Sequence, residues 1–180
     1  MKHPIPMFAR PFYYLRHGET ETNASRLVAG SLDVDLTALG RKQARTAAKM
    51  LASEPITGIY SSPLKRASHT AEPIGKALKL PVIIIPEISE RNWGALEGQP
   101  RGSRVRGVTP EGAETMAEFT RRVLSGFTRI DSHVPLVVAH SGVFRVLCRT
   151  LDIVEAEAPV ANALPLRFVP VQDRWRVEET

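Results

Sequence analysis

Short apolar runs alternate along this chain with stretches of helical period. Phe12-Tyr13-Tyr14-Leu15 reads as a buried strand, Ile56 to Tyr60 as a second, Val82 to Ile85 as a third and Pro135 to Ala139 as a fourth. The third is β-branched throughout, the composition expected of a strand covered on both faces. Between them, Ala44, Ala47, Ala48 and Leu51 recur at helical spacing within Leu36 to Ala52, with Thr37 placed to cap the start. Ser62-Pro63 predicts an N-cap and first helical residue for a helix reaching about Leu80, with Pro73 expected to kink or interrupt it. Met116, Phe119, Val123 and Phe127 mark the inner face of a helix over about Ala113 to Ile130, and Gly142 to Leu151 forms another. Pro86 to Gly112, with glycines at 94, 98, 102, 107 and 112, reads mostly as loop. Leu164 to Val171 and Trp175 to Val177, joined at Gln172-Asp173, resemble a closing hairpin. Strands alternating with helices predict a mostly parallel central sheet in a three-layer α/β/α sandwich.

Composition narrows the class. At 180 residues, one domain spanning 1–180 is expected, and a hydrophobic share of 43% with 24% charged residues is that of a globular chain. A single cysteine, Cys148, excludes an internal disulfide framework and fits a reducing compartment. The longest apolar stretches fall far short of the ~20 residues of a membrane helix. Pro4, Pro6 and Pro11 interrupt the region where a secretory signal would be continuous and apolar, so a cytoplasmic protein without a membrane partner is expected. A net charge of +5 admits nucleic acid, an anionic surface or a small anionic ligand.

The positions of the arginines and histidines separate these. In an open parallel sheet, ligands bind beyond the carboxyl ends of the strands. Two strands end there in histidine, as Leu15-Arg16-His17-Gly18 and Ala139-His140-Ser141-Gly142. His3, His69 and His133 lack this setting. Arg16 adjoins His17, and Arg66 lies on the first turn after the second strand. Guanidinium groups repel a divalent cation and grip phosphate, and helix N-termini add N–H donors, so an anion pocket is expected. A neutral imidazole in such a pocket can attack phosphorus and carry the phosphoryl group. The departing alkoxide then needs a proton, for which Glu87, Glu90 and Glu97 are all available in the loop after the third strand.

Arg16-His17-Gly18-Glu19-Thr20, with Asn23 six residues after His17, resembles the opening of the histidine phosphatase superfamily, the phosphoglycerate mutase-like group. The resemblance continues in order through Asp35-Leu36-Thr37, Ser61-Ser62-Pro63-Leu64-x-Arg66-Ala67, Glu90-Arg91-x-Trp93-Gly94-x-Leu96-Glu97-Gly98, His140-Ser141-Gly142 and Asn162-Ala163. It implies His17 as the nucleophile that becomes phosphohistidine, Arg16, Arg66 and His140 as holders of the phosphoryl oxygens, and Glu90 as proton donor and later base. Thr20, Asn23 and Ser141 become supporting phosphate contacts, with neither cofactor nor metal required.

The segment Gly98 to Gly112 is short where glycolytic mutases carry a long insertion that helps to shield the intermediate from water. This favours a phosphomonoesterase of small phosphorylated metabolites over a phosphoglycerate mutase; a phosphate-binding module without catalysis is the third reading. Arg101, Arg104 and Arg106 in that segment read either as solvated charge or as contacts to a second anionic group on the substrate. With no aromatic between them and no recognised motif, nucleic acid is not an expected partner. The oligomeric state is open; a dimer paired through an exposed sheet edge is compatible with the sequence.

Overall fold

In the computed structural model, which describes residues 5–153, 160–172 and 174–180, the alternation becomes a single six-stranded sheet. In chain order the elements are β1 (Phe12–Arg16), α1 (Glu21–Ala24), α2 (Ala38–Leu51), β2 (Gly58–Ser61), α3 (Lys65–Leu78), β3 (Val82–Ile84), α4 (Met116–Phe127), β4 (Pro135–Ala139), α5 (Ser141–Thr150), β5 (Pro165–Val171) and β6 (Arg174–Glu179). The strands lie in the order β3-β2-β4-β1-β5-β6. The first four run parallel, and the β5–β6 hairpin adds two antiparallel strands beside β1.

Side chains two apart on a strand share a face. Phe12 and Tyr14 of β1 and Val137 and Ala139 of β4 therefore pack with Phe119, Val123 and Phe127 of α4 and Val143 and Leu147 of α5. Tyr13, Leu15, Leu136 and Val138 face the other way, onto Ala47 and Leu51 of α2 and Ala71 and Ile74 of α3. This is the expected three-layer arrangement, and both central strands are shielded from solvent on each side.

Several local expectations change. The isoleucines of β3 are not covered on both faces: the strand is a sheet edge, and Ile83 and Ile84 are 45% and 41% exposed. Only Ile85, just beyond it, is buried. Helix α3 begins at Lys65, later than Ser62-Pro63 predicts, and runs through Pro73 without interruption. Its first N–H groups are served from elsewhere, since the Lys65 amide donates to Asp33 Oδ1 at 2.7 Å. Helix α4 starts at Met116 behind a reciprocal Thr115–Glu118 capping box, so Met116 is exposed and Phe119, Val123 and Phe127 form the inner stripe. The loop over 86–112 carries short 3₁₀ turns at Pro86–Ile88, Gly94–Leu96 and Arg101–Ser103. The hairpin turn includes Gln172 in the left-handed region at φ 54; Asp173 lies outside the described residues. Among the described residues, no helix is long and apolar enough to cross a membrane.

Register is what positions the site. Arg16 of β1 pairs with Ala139 of β4, and the His17 amide donates to the Ala139 carbonyl at 3.0 Å. Both strands thus end level, and His17 and His140 leave them side by side. On the other flank of β4, Ser61 pairs with Val138, and the Ser62 amide donates to the Val138 carbonyl at 3.1 Å, which brings Ser62 next to His140.

Candidate active site

His17 is held in one tautomer. Its Nδ1 lies 2.7 Å from the carbonyl oxygen of Gly18. A carbonyl only accepts, so Nδ1 carries the proton and Nε2 keeps its lone pair. Burial, then the charges of Arg66 and Arg16, push the imidazole pKa well below its ordinary value. At neutral pH the ring is uncharged and Nε2 is nucleophilic. The backbone here tolerates only glycine at 18, where a Cβ would stand 2.6 Å from the Gly40 carbonyl oxygen at the start of α2. Asn162 braces the turn, its Nδ2 donating to the His17 carbonyl at 2.9 Å and to Asn23 Oδ1 at 3.1 Å.

Around His17 the donors converge. Arg66 is only 1% exposed; its two terminal nitrogens donate to the carbonyls of Leu32 and Gly30 at 2.6 and 2.7 Å. Arg16 donates through Nη1 to the Val160 carbonyl at 2.7 Å, and burial, followed by the nearby Arg101 charge, lowers its pKa to about 10. Among the described residues, neither guanidinium meets a carboxylate, and the Nε of each has no hydrogen-bond partner. His140 stands behind this surface, fully buried, with its ring centroid 5.2 Å from that of His17. Its Nε2 is 2.8 Å from Ser62 Oγ, while its Nδ1 has no partner among the described residues. Burial and the Arg66 charge depress its pKa as well. Two guanidinium groups lining the cleft, with three nearby nitrogens that lack hydrogen-bond partners among the described residues, make this end of the sheet a setting suited to an anion.

Of the three glutamates left open by sequence, only Glu90 lines the same cleft. Glu87 pairs with Arg129 at 2.8 Å, and Glu97 accepts from the Ser31 amide and hydroxyl and from the Trp93 amide. Glu90 Oε2 accepts from the Gly142 amide at 3.0 Å, and Oε1 accepts from its neighbour's amide at Arg91, 2.9 Å away. From α4, Arg122 donates to the carbonyls of Glu87, Ser89 and Glu90 and makes two bonds to the Glu114 carboxylate, so the whole turn carrying Glu90 is clamped.

The remaining wall includes Asn23, Leu27, Gly30, Trp93, Arg101, Arg104, Ser141 and Arg145. Three residues expected at the site are not among those lining it: His140, which stands behind the wall, Thr20 and Arg106. Thr20 is completely buried as the N-cap of α1, its hydroxyl accepting from the Asn23 amide and contacting Thr22. Arg106 lines only an adjoining outer cavity of about 590 Å³. Nor are the loop arginines without an aromatic: Arg91 and Arg104 lie 4.4 and 5.1 Å from the centroid of Trp93, which comes from an earlier turn of the chain. Arg145 was missed by sequence reading, although its place one helical turn beyond Ser141 puts it on the face that meets the cleft. Arg122 gave no signal, because its partners are mostly backbone carbonyls of a distant loop.

A mixed α/β sheet with two strand-end histidines, one buried and one half-buried arginine and one overhanging glutamate is the architecture of the histidine phosphatases. The chain belongs to the histidine phosphatase superfamily, branch 1, whose family model matches residues 12–178. Among its relatives, it is 30% identical over 176 residues to the uncharacterized phosphatase PhoE of Bacillus subtilis (strain 168), covering 92% of this chain and 91% of that one. It is 36% identical over 161 residues to the probable phosphoglycerate mutase GpmB of Yersinia enterocolitica, covering 77% and 73%. Among solved structures, the mycobacterial glucosyl-3-phosphoglycerate phosphatase complexed with VO3 superposes with a TM-score of 0.80 at 26% identity, over 94% of this chain and 98% of that one.

Proposed function

We propose that this protein is a phosphomonoesterase that hydrolyses small phosphorylated metabolites through a phosphohistidine. The observation that carries this reading is the His17 ring itself, neutral, locked with Nε2 free, and set among buried donors that lack partners. The lone pair of Nε2 attacks phosphorus and the ester P–O bond breaks. Glu90 gives its proton to the departing oxygen, so the alcohol leaves neutral. Arg16, Arg66 and the unpartnered nitrogen of His140 offset the charge on the three equatorial oxygens. Ser141 and Asn23 lie at the same wall and complete the phosphate contacts. In the second half, ionised Glu90 takes a proton from water as the oxygen attacks phosphorus. The P–N bond breaks, inorganic phosphate leaves, and His17 returns to its starting tautomer.

The short Gly98 to Gly112 segment supports hydrolysis over retention of the intermediate, since water reaches a thinly covered site. Similarity to a probable phosphoglycerate mutase keeps isomerisation as the second reading. Release of p-nitrophenol from p-nitrophenyl phosphate in the presence of EDTA tests the proposal. Wild type is expected to turn over and His17→Ala to lose activity; equal turnover by the variant would refute His17 as nucleophile. With 3-phosphoglycerate, 2-phosphoglycerate forming faster than free phosphate would transfer the assignment to a mutase.

A further inference from the structure

On the reading that the cleft hydrolyses phosphate monoesters, we infer that its substrates carry a second anionic group on the alcohol half, held by Arg101, Arg104 and Arg145. Five guanidinium groups line this cleft, those of Arg16, Arg66, Arg101, Arg104 and Arg145, against the single carboxylate of Glu90. None of the five forms an ion pair among the described residues; the arginine ion pairs there belong to Arg41, Arg122, Arg129 and Arg176. A phosphomonoester dianion offsets Arg16 and Arg66. Three like charges then remain together at the mouth, an arrangement that opposes itself until an anion enters.

Two of these arginines are tethered by side-chain hydrogen bonds, and the third is carried on a helix. The chain at Arg101 is stitched to the Arg26 to Val28 segment, with the Arg101 amide donating to the Arg26 carbonyl at 2.9 Å and the Val28 amide donating to the Gln99 carbonyl at 2.9 Å. Arg101 Nε donates to the Leu27 carbonyl at 3.1 Å. Arg104 rests on the Trp93 ring, and its Nε donates to the Arg101 carbonyl at 3.3 Å. Arg145 is set by helix α5. Burial, then the charges of Arg145 and Arg101, lower the Arg104 pKa, which places the three within one another's field.

Position also identifies which half of the substrate they meet. Glu90, Trp93, Arg104, Ser141 and Arg145 line both the phosphate cleft and an adjoining cavity of about 280 Å³ that continues toward Met116 and Phe119. Glu90 must reach the leaving oxygen, so the alcohol half lies on its side, where Arg104 and Arg145 stand. A carboxylate and a second phosphate are recognised by the same guanidinium chemistry.

Two matched pairs of probes test this by phosphate release. Glycerol 3-phosphate against 3-phosphoglycerate adds a carboxylate, and 3-hydroxypropyl phosphate against propane-1,3-diyl bisphosphate adds a phosphate. In wild type, kcat/KM is expected to favour the doubly anionic member of at least one pair by about tenfold or more, and the favoured pair identifies the second group. Arg104→Gln combined with Arg145→Gln is expected to bring that ratio close to one; Arg145→Lys alone should retain part of it. Ratios near one in wild type for both pairs, with all four probes hydrolysed, would overturn the inference and leave the phosphatase intact. A ratio untouched by Arg145→Gln and by the double variant would also overturn it. Absence of phosphate release from any probe, p-nitrophenyl phosphate included, would instead remove the reading on which it rests.

Discussion

Gly142 is the position at which the proposed acid can be displaced without touching it. Built on the backbone, an alanine Cβ there would lie 2.0 Å from Glu90 Oε1, 3.0 Å from its Cδ and 3.1 Å from Phe119 Cζ. The obstructing atoms are the tip of a side chain that can swing away, so Gly142→Ala should fold and move the carboxyl by about 1 Å or more. A displacement of that size costs about 10²-fold in rate, within the ~10²–10⁴ that a positioned acid supplies. In barrier terms this is about 2.7 kcal/mol. Stability should change less. The Gly142 amide loses its 3.0 Å bond to Glu90 Oε2, worth about 0.5–1.5 kcal/mol. Alanine recovers about 1 kcal/mol of helix propensity. The two nearly cancel, leaving a net change within about 0.5 kcal/mol and a Tm within about 2 °C of wild type, at about 2–4 °C per kcal/mol. The assay compares kcat for an alkyl phosphate, whose alkoxide must be protonated, with that for p-nitrophenyl phosphate, whose phenolate leaves unaided. A loss near 10²-fold for the first and under about tenfold for the second is expected. Equal losses, or an alkyl phosphate kcat within about twofold of wild type, would refute Glu90 as the acid that Gly142 makes room for.

Other consequences concern pH and the support of the acid. Because His17 and His140 both have pKa values pushed below the ordinary histidine value by burial and by Arg66, the unfolded chain binds protons that the folded one refuses. Their contribution to stability is therefore present above about pH 6.5 and lost as pH falls below it, with a slope of at most about 1.4 kcal/mol per pH unit per histidine. Urea unfolding between pH 7.5 and 5.5 should show that decline, and His17→Ala should make it shallower; a slope unaltered by that variant would contradict the assignment for His17. Arg122→Leu should lower kcat for the alkyl phosphate more than for p-nitrophenyl phosphate with little change in KM, since it acts through Glu90. If it changes both substrates alike, Arg122 serves only the fold.

Much of this architecture is legible in the sequence, because the buried strands and amphipathic helices follow simple periods. Leu36 to Ala52 behaves as its pattern implies, down to Thr37 accepting from the Gly40 amide at 3.0 Å. The histidines are legible for the same reason: each ends a core strand, and sheet register brings them together. What local pattern cannot supply is the order of strands. The β-branched composition of Val82 to Ile85 is shared by central and edge strands, so the exposure of Ile83 and Ile84 follows only from topology. Ser62 is a similar case, for its hydroxyl meets His140 across the sheet edge as well as the Leu64 amide at 3.3 Å. Thr20 sits in the motif yet serves as a helix cap, which motif membership alone does not reveal. The choice of Glu90 over Glu87 and Glu97 depends on partners far away in sequence, namely Arg129 for one and Ser31 for the other. Arg145 was within reach of the same helical arithmetic that placed Ser141.

The central claim is that Nε2 of His17 becomes covalently phosphorylated during turnover. Substrate bearing a radiolabelled phosphoryl group, mixed with enzyme and quenched in alkali within the first turnovers, tests it directly. Label stable to alkali and released by acid, mapping to the peptide that contains His17 and absent from His17→Ala, is the expected result. Continued hydrolysis with no such label in wild type, or the same label on the His17→Ala protein, would contradict it.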